Sequence, residues 1–219
     1  MSKKKSAAEP VEYIDSQAFD AAKEKIIGKS HNDKGIGTLS EKTLHAVLKM
    51  YYEPDEDNHE VAIDGYFADI YNEHGIIEIQ TRQLNKLRDK LSVFLNEYQV
   101  RVVYPMPYEK YLSWIEPETG DITSRRKSPK RCSVYDAMFE LYKIKAFLKN
   151  QNLKVTLLLI DMEEYKLLNG WSYDKKRGST RYDRVPVVIR RIVKFDRIED
   201  YMQLVPADLK EDFTVKDFA

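Results

Sequence analysis

An α/β fold follows from three features of the chain. Across residues 38–105, helix-like and strand-like patterns succeed one another as helix, three-strand meander, helix, strand. A second α+β layer of hairpin, helix and strand follows up to residue 168. The length of 219 residues, 42% of them hydrophobic, suits one domain with a substantial core.

In chain order, residues 1–37 read as a charged N-terminal extension in which "QAFDAAKEKII" forms a short helix. "TLSEKTLHAVLKMYY" places Leu44, Val47, Leu48 and Tyr51 at helical spacing, with Ser40 as N-cap. "HEVAIDGYFADIYNEHGIIEIQT" gives three short strands, with turns at Asp64-Gly65 and from Asn72 to Gly75. "RQLNKLRDKLSVFLNEY" is an amphipathic helix whose stripe is Leu84, Leu87, Leu91, Phe94, Leu95 and Tyr98. "VRVVYP" reads as a buried strand that Pro105 ends. Beyond it come a hairpin around Glu118-Thr119-Gly120, a helix in "SVYDAMFELYKIKAFLKN" and the strand "LKVTLLLID".

Residues 38–168 thus form the predicted core, and 169–219 a basic C-terminal segment that starts with the loop "GWSYDKKRGSTRYDRVP". Its last stretch, "VPADLKEDFTVKDFA", resembles the opening of a winged-helix module, in a chain cut inside a domain, and reads equally as a terminal helix.

Charge is balanced overall, with 36 Lys plus Arg against 36 Asp plus Glu, and so indicates no partner. Locally it is not. Residues 53–81 carry nine carboxylates and no Lys or Arg, whereas residues 122–200 hold 19 Lys plus Arg against 10 acids. A cation-dependent site beside a polyanion-binding surface would need this division. Cys132 is the only cysteine, which excludes internal disulfides and fits a reducing interior. No apolar run approaches the roughly 18 residues of a membrane span, and no hydrophobic stretch follows "MSKKKSAAEP". The expectation is a cytoplasmic protein without membrane contact.

The stretch "ADIYNEHGIIEIQT" carries the functional question. A loop from Asn72 to Gly75 pairs Tyr71 with Ile76 and Ile70 with Ile77, which sets Asp69 opposite Glu78. Ala68, Ile70, Ile77 and Ile79 then share an apolar face, and Asp69, Glu78 and Gln80 the other. Directly opposed like charges repel, and a hard divalent cation between them would turn repulsion into ligation. An ordinary solvated polar face fits the same spacing.

The order of elements, with an acid on the first helix, an acid near the second strand and E-x-Q on the third, resembles the PD-(D/E)xK nuclease superfamily. The resemblance covers about residues 38–105 and implies a restriction-endonuclease-like core. It also implies metal-assisted phosphodiester hydrolysis, with Mg²⁺ or Mn²⁺ held by Asp69, Glu78 and the Ile79 carbonyl, and Glu41 and Gln80 completing the site. Nucleic acid, with DNA the expected form, would be the substrate. Gln80 stands where the usual motif has Lys and brings no positive charge to the nucleophilic water; Lys86 or Lys90, on the next helix, could replace it.

"RRKSPKR" offers Arg125, Arg126, Lys127, Lys130 and Arg131 as a phosphate-gripping loop, or as a solvated one. In the basic segment after it, Tyr173, Tyr182 and Phe195 could stack on bases, although packing explains them as well. His45, one turn after Glu41, shares its helix face. Cys132 lies in a basic loop expected to lower its pKa. Two readings stand beside the nuclease: a catalytically inactive nucleic-acid-binding module of the same fold, and a protein-interaction domain.

Overall fold

The computed structural model describes residues 13–32, 43–170 and 178–205, with Leu209, Asp212 and Thr214. Its elements are α1 (Ser16–Asn32), α2 (Thr43–Tyr52), β1 (His59–Ile63), β2 (Tyr66–Asn72), β3 (Gly75–Ile79), α3 (Arg88–Phe94), β4 (Val100–Ile115), β5 (Arg126–Lys127), α4 (Met138–Leu141), β6 (Leu153–Leu167) and β7 (Thr180–Phe195). The fold is α/β. One mixed sheet runs β1-β2-β3-β4-β6-β7, with β5 paired to β4 beyond β3. The meander β1-β2-β3 is antiparallel, β3, β4 and β6 are mutually parallel, and β7 returns antiparallel on β6.

Each face of the sheet carries its own core, as a buried parallel centre requires. On one side Phe19 and Ala22 of α1 and Leu44, Val47 and Leu48 of α2 pack on Ile77, Ile79, Val103 and Leu158. On the other, Leu87, Leu91 and Phe94 pack with Leu141 and Ile144 on Val100, Val102 and Val155. So α1, expected in an extension, belongs to the core. No helix among the described residues is long and apolar enough to cross a membrane.

The turns follow the residues that permit them. Asp64 and Gly65 both have positive φ, as a tight hairpin of this hand demands. At the second turn the Asn72 side chain accepts the His74 N–H at 2.9 Å, and Gly75 closes it at φ +101°, where a Cβ would collide with the Gln99 carbonyl.

Several expectations are corrected. Pro105 does not end β4, which runs on to Ile115. The Val103 carbonyl accepts from Gln80 and the Pro107 carbonyl from Cys132, so this side of β4 faces away from β6. Alternate residues point the same way, hence Pro105 and Pro107 turn their nitrogens away from β6: the β4–β6 ladder runs on past them, while the β3–β4 ladder stops at Val103. The helix expected over 82–98 is a 3-10 turn (Leu84–Leu87) leading into the short α3. The helix expected over 133–150 is likewise divided, α4 lying between 3-10 turns. "TRYDRVP", expected in a loop, opens β7, and the boundary placed after residue 168 falls within the β6–β7 connection. Ala68 packs with the α3 core and Ile70 with the α2 core, so the two do not join one apolar cluster. The winged-helix stretch lies almost wholly outside the described residues.

Candidate metal and phosphate cleft

Strands β2 and β3 keep the predicted register from Asn72/Gly75 to Ile70/Ile77 and then separate. Asp69 and Glu78 occupy the next position on each, where side chains replace the ladder. The Ile79 N–H donates to Asp69 Oδ2 at 2.7 Å, and the Asp69 N–H donates to Glu78 Oε1 at 3.4 Å. The parting opens a cleft of about 260 Å³ lined by both acids with His45, Gln80, Lys86 and Lys90, among others.

Helices on both faces of the sheet complete the site. From α2, His45 sets Nε2 3.1 Å from Asp69 Oδ2. The helix is held in place from far along the chain: Thr43, its first residue, donates its N–H to Asp183 of β7 at 3.2 Å and its hydroxyl to the same carboxylate. An acid there also complements the partial positive charge of a helix start. From α3, Lys90 Nζ lies 3.1 and 2.9 Å from the two oxygens of Glu78.

The two carboxyls respond in opposite directions. Burial works to raise Asp69, but the hydrogen bond and charge of His45, the Ile79 N–H and the Lys90 charge outweigh it and hold Asp69 below the ordinary aspartate range. Glu78 is 1% exposed. Burial and the Asp69 charge push it up to about 7 against the pull of Lys90. One acid is therefore firmly ionised at neutral pH, and its neighbour is balanced between two states.

Asp69, Glu78, Ile79 and Gln80 thus come together at one cleft. Gln80 turns its amide to the carbonyls of Arg82 and Gln83 (3.3 Å to the latter) and so holds the loop beside the cleft. Glu41, Ser40 and Tyr173 lie outside the described residues. The basic hairpin is elsewhere: Lys127 and Arg126 pair with Tyr111 and Leu112, about nine residues, or roughly 30 Å, along β4 from Val102, which neighbours Glu78. It is also partly engaged. Arg125 lies over Tyr111 and Arg131 over Tyr108, each 3.7 Å from the ring centre, and Lys127 pairs with Glu109 at 2.8 Å. Arg126 and Lys130 are exposed. Phe195 is buried and stacks on Tyr201, so it packs. Cys132 departs from expectation: burial and the Asp136 charge raise its thiol pKa.

Sequence reasoning missed Arg184, hidden in the strand read as a loop. Its guanidinium reaches the Thr81 carbonyl, 3.3 Å away, in the cleft lining. Burial and the nearby Arg181 push its pKa down to about 10.

A family model described as a domain of unknown function, DUF8091, matches residues 42–196. An uncharacterised protein of Treponema pallidum (strain Nichols) is 30% identical over 167 residues, covering 76% of this chain and 64% of that relative. The chain therefore spans less than two thirds of the relative's length. No solved structure matches. The family match begins one residue before α2 and ends one residue after β7, enclosing His45, Asp69, Glu78, Lys90 and Arg184, and the chain belongs to the DUF8091 family.

Proposed function

We propose that this protein is a divalent-metal-dependent nuclease built on a restriction-endonuclease-like core. The observation that carries the reading is the convergence of the buried Glu78 and half-buried Asp69 carboxylates with the Lys90 ammonium at the parting of β2 and β3. The meander, α3 and a β4 parallel to β3 also follow the element order of that core.

The donors suit a hard cation such as Mg²⁺ or Mn²⁺. His45 and Ile79 both use Oδ2 of Asp69, which leaves Oδ1 to a ligand. The Asp69 charge raises the Glu78 pKa, a repulsion that a cation between them would relieve. Asp69, Glu78 and the Ile79 carbonyl would hold the ion. When bound, it would stabilise charge on the scissile phosphate and acidify a water. His45 keeps Asp69 ionised and oriented. Lys90 takes the part that Gln80 cannot, placing a positive charge beside Glu78 from the helix instead of the strand.

Gln80 favours a second reading. Its amide is engaged with the loop, as it would be in a nucleic-acid-binding module of the same fold that has lost catalysis. One set of measurements separates the two. Under hydrolysis, Mn²⁺ titrated calorimetrically binds wild type and not Glu78→Ala, and Asp69→Ala loses Mg²⁺-dependent cleavage while keeping its circular dichroism. Undiminished cleavage in Asp69→Ala overturns the hydrolytic site. A salt-sensitive, EDTA-insensitive shift of DNA with no product supports the binding module.

A further inference from the structure

A second charge cluster borders the cleft, with its signs reversed. Glu164 on β6 is 2% exposed, and three cations surround it: Arg181 at 3.1 Å, Lys110 at 3.4 Å and Lys166 at 3.9 Å. Arg184 lies directly opposite Glu164 across the β6–β7 ladder. Arg181, three residues earlier, reaches the same carboxylate because the register shifts between Asp183 and Arg181. One acid cannot neutralise four cations. On the cleft side Arg82 adds a fifth, exposed and with no acidic partner among the described residues. Arg184 donates to the Thr81 carbonyl at 3.3 Å, one residue from Arg82, and Arg82 and Arg181 both disfavour its charged form, which places each within electrostatic reach of it.

A protein does not gather like charges around a part-buried arginine without cost. An anion bound among them relieves that repulsion, and the planar forks of arginine match phosphate oxygens. The loop bearing Arg82 is prepared for such a role. Gln80 holds the Arg82 and Gln83 carbonyls, Gln83 sits at φ 58°, and Glu140 accepts the Leu84 N–H at 2.9 Å.

We infer that Arg82, Arg181 and Arg184 form a phosphate subsite for a nucleic-acid strand, so that a strand leaving the cleft runs across the Thr81–Arg82 loop onto β7 and not toward the Arg125–Arg131 hairpin. This rests on the nuclease reading for its substrate class. Gln80 becomes a positioning residue for Arg82.

The test is fluorescence anisotropy of the full chain with a short fluorescein-labelled DNA duplex and the matching single-stranded RNA, in EDTA, over a range of KCl. Arg82→Ala and Arg181→Gln should each weaken binding of the preferred probe by about 3- to 10-fold and lower the salt slope by about one, as loss of a phosphate contact does. Arg126→Ala, on the exposed hairpin, should change it less than about twofold. Both arginines are surface-exposed, so the outcome does not depend on replacing part-buried Arg184. Gln80→Ala should reproduce part of the Arg82→Ala loss, and Arg82→Lys should restore part of it. Wild-type affinity and slope in both arginine variants overturns the subsite, as does a larger loss in Arg126→Ala or no binding of either probe. If binding falls as expected but wild type cleaves nothing with Mg²⁺ or Mn²⁺, the subsite stands and the hydrolytic reading falls.

Discussion

Glu78 and Glu164 are both almost fully buried acids on the same sheet, yet their surroundings are opposite. Glu78 shares one lysine with a second carboxylate, Asp69. Glu164 has Lys110, Lys166 and Arg181 around it and Arg184 opposite. The Asp69–Glu78 pair has a single ammonium in contact, and the β6–β7 cluster holds a surplus of positive charge. A buried charge left under-compensated on a rigid strand costs folding free energy, and such places are where ligands supply the missing sign. The two sites lie on either side of one loop and differ in the sign they lack, which the proposed cation would supply to the first and the proposed phosphate to the second.

Neutralising each acid should therefore shift stability in opposite directions. The largest effect is expected for Glu164→Ala, which strands several part-buried cations and should cost about 3 kcal/mol in urea denaturation at pH 7.5. Stability unchanged by that variant would break the contrast.

Next comes Glu78→Gln, which should stabilise the protein by about 1–2 kcal/mol at pH 8 and by little at pH 5. The sign follows from a folded pKa, about 7, that lies above the unfolded value. Between the unfolded glutamate pKa and 7 the native state binds the extra proton, so wild-type stability declines as pH rises through that window. The gap between variant and wild type should open over the same window in urea melts at stepped pH.

Lys90→Met sharpens the cleft half. It should destabilise by about 1 kcal/mol at pH 8, where Glu78 is ionised, and have a smaller effect at pH 5, where Glu78 carries its own proton. The smallest effect belongs to Pro105→Ala, expected to stay within about 0.5 kcal/mol because the proline nitrogen faces away from β6 and the β4–β6 ladder is already complete around it.

The cleft half was far more legible in the sequence than the basic half. Turn residues fix the register of the β2–β3 hairpin, so Asp69 and Glu78 could be placed beside one another from the position of Gly75 alone. The Leu84-to-Leu95 stripe likewise marked the face that buries, although its helical segments are shorter than the pattern suggests. What could not be read was the parting of the strands, because alternation describes a ladder and says nothing of where it ends. The long strands beyond were misjudged for physical reasons as well. Pro105 breaks a strand only where its missing N–H faces a partner. "TRYDRVP" lacks apolar alternation because β7 there lies over ion pairs, which hid Arg184 and Arg181. The Arg125–Arg131 run drew attention by density of charge, whereas the arginines beside the cleft are scattered in sequence and gathered only by the register of β7.

The contact between Asp183 and Thr43 spans 140 residues. Asp69 and Glu78 therefore leave the ribosome long before the strand that anchors α2, and with it His45. Glu78 precedes Asp183 by 105 residues, so at about 5–20 residues per second that interval is on the order of 5–21 s. During it the two carboxylates can already face each other across their hairpin, but the helix that holds Asp69 ionised has no fixed seat. The site is among the first parts of the chain to be made and among the last to be finished, so any chemistry it performs waits on β7.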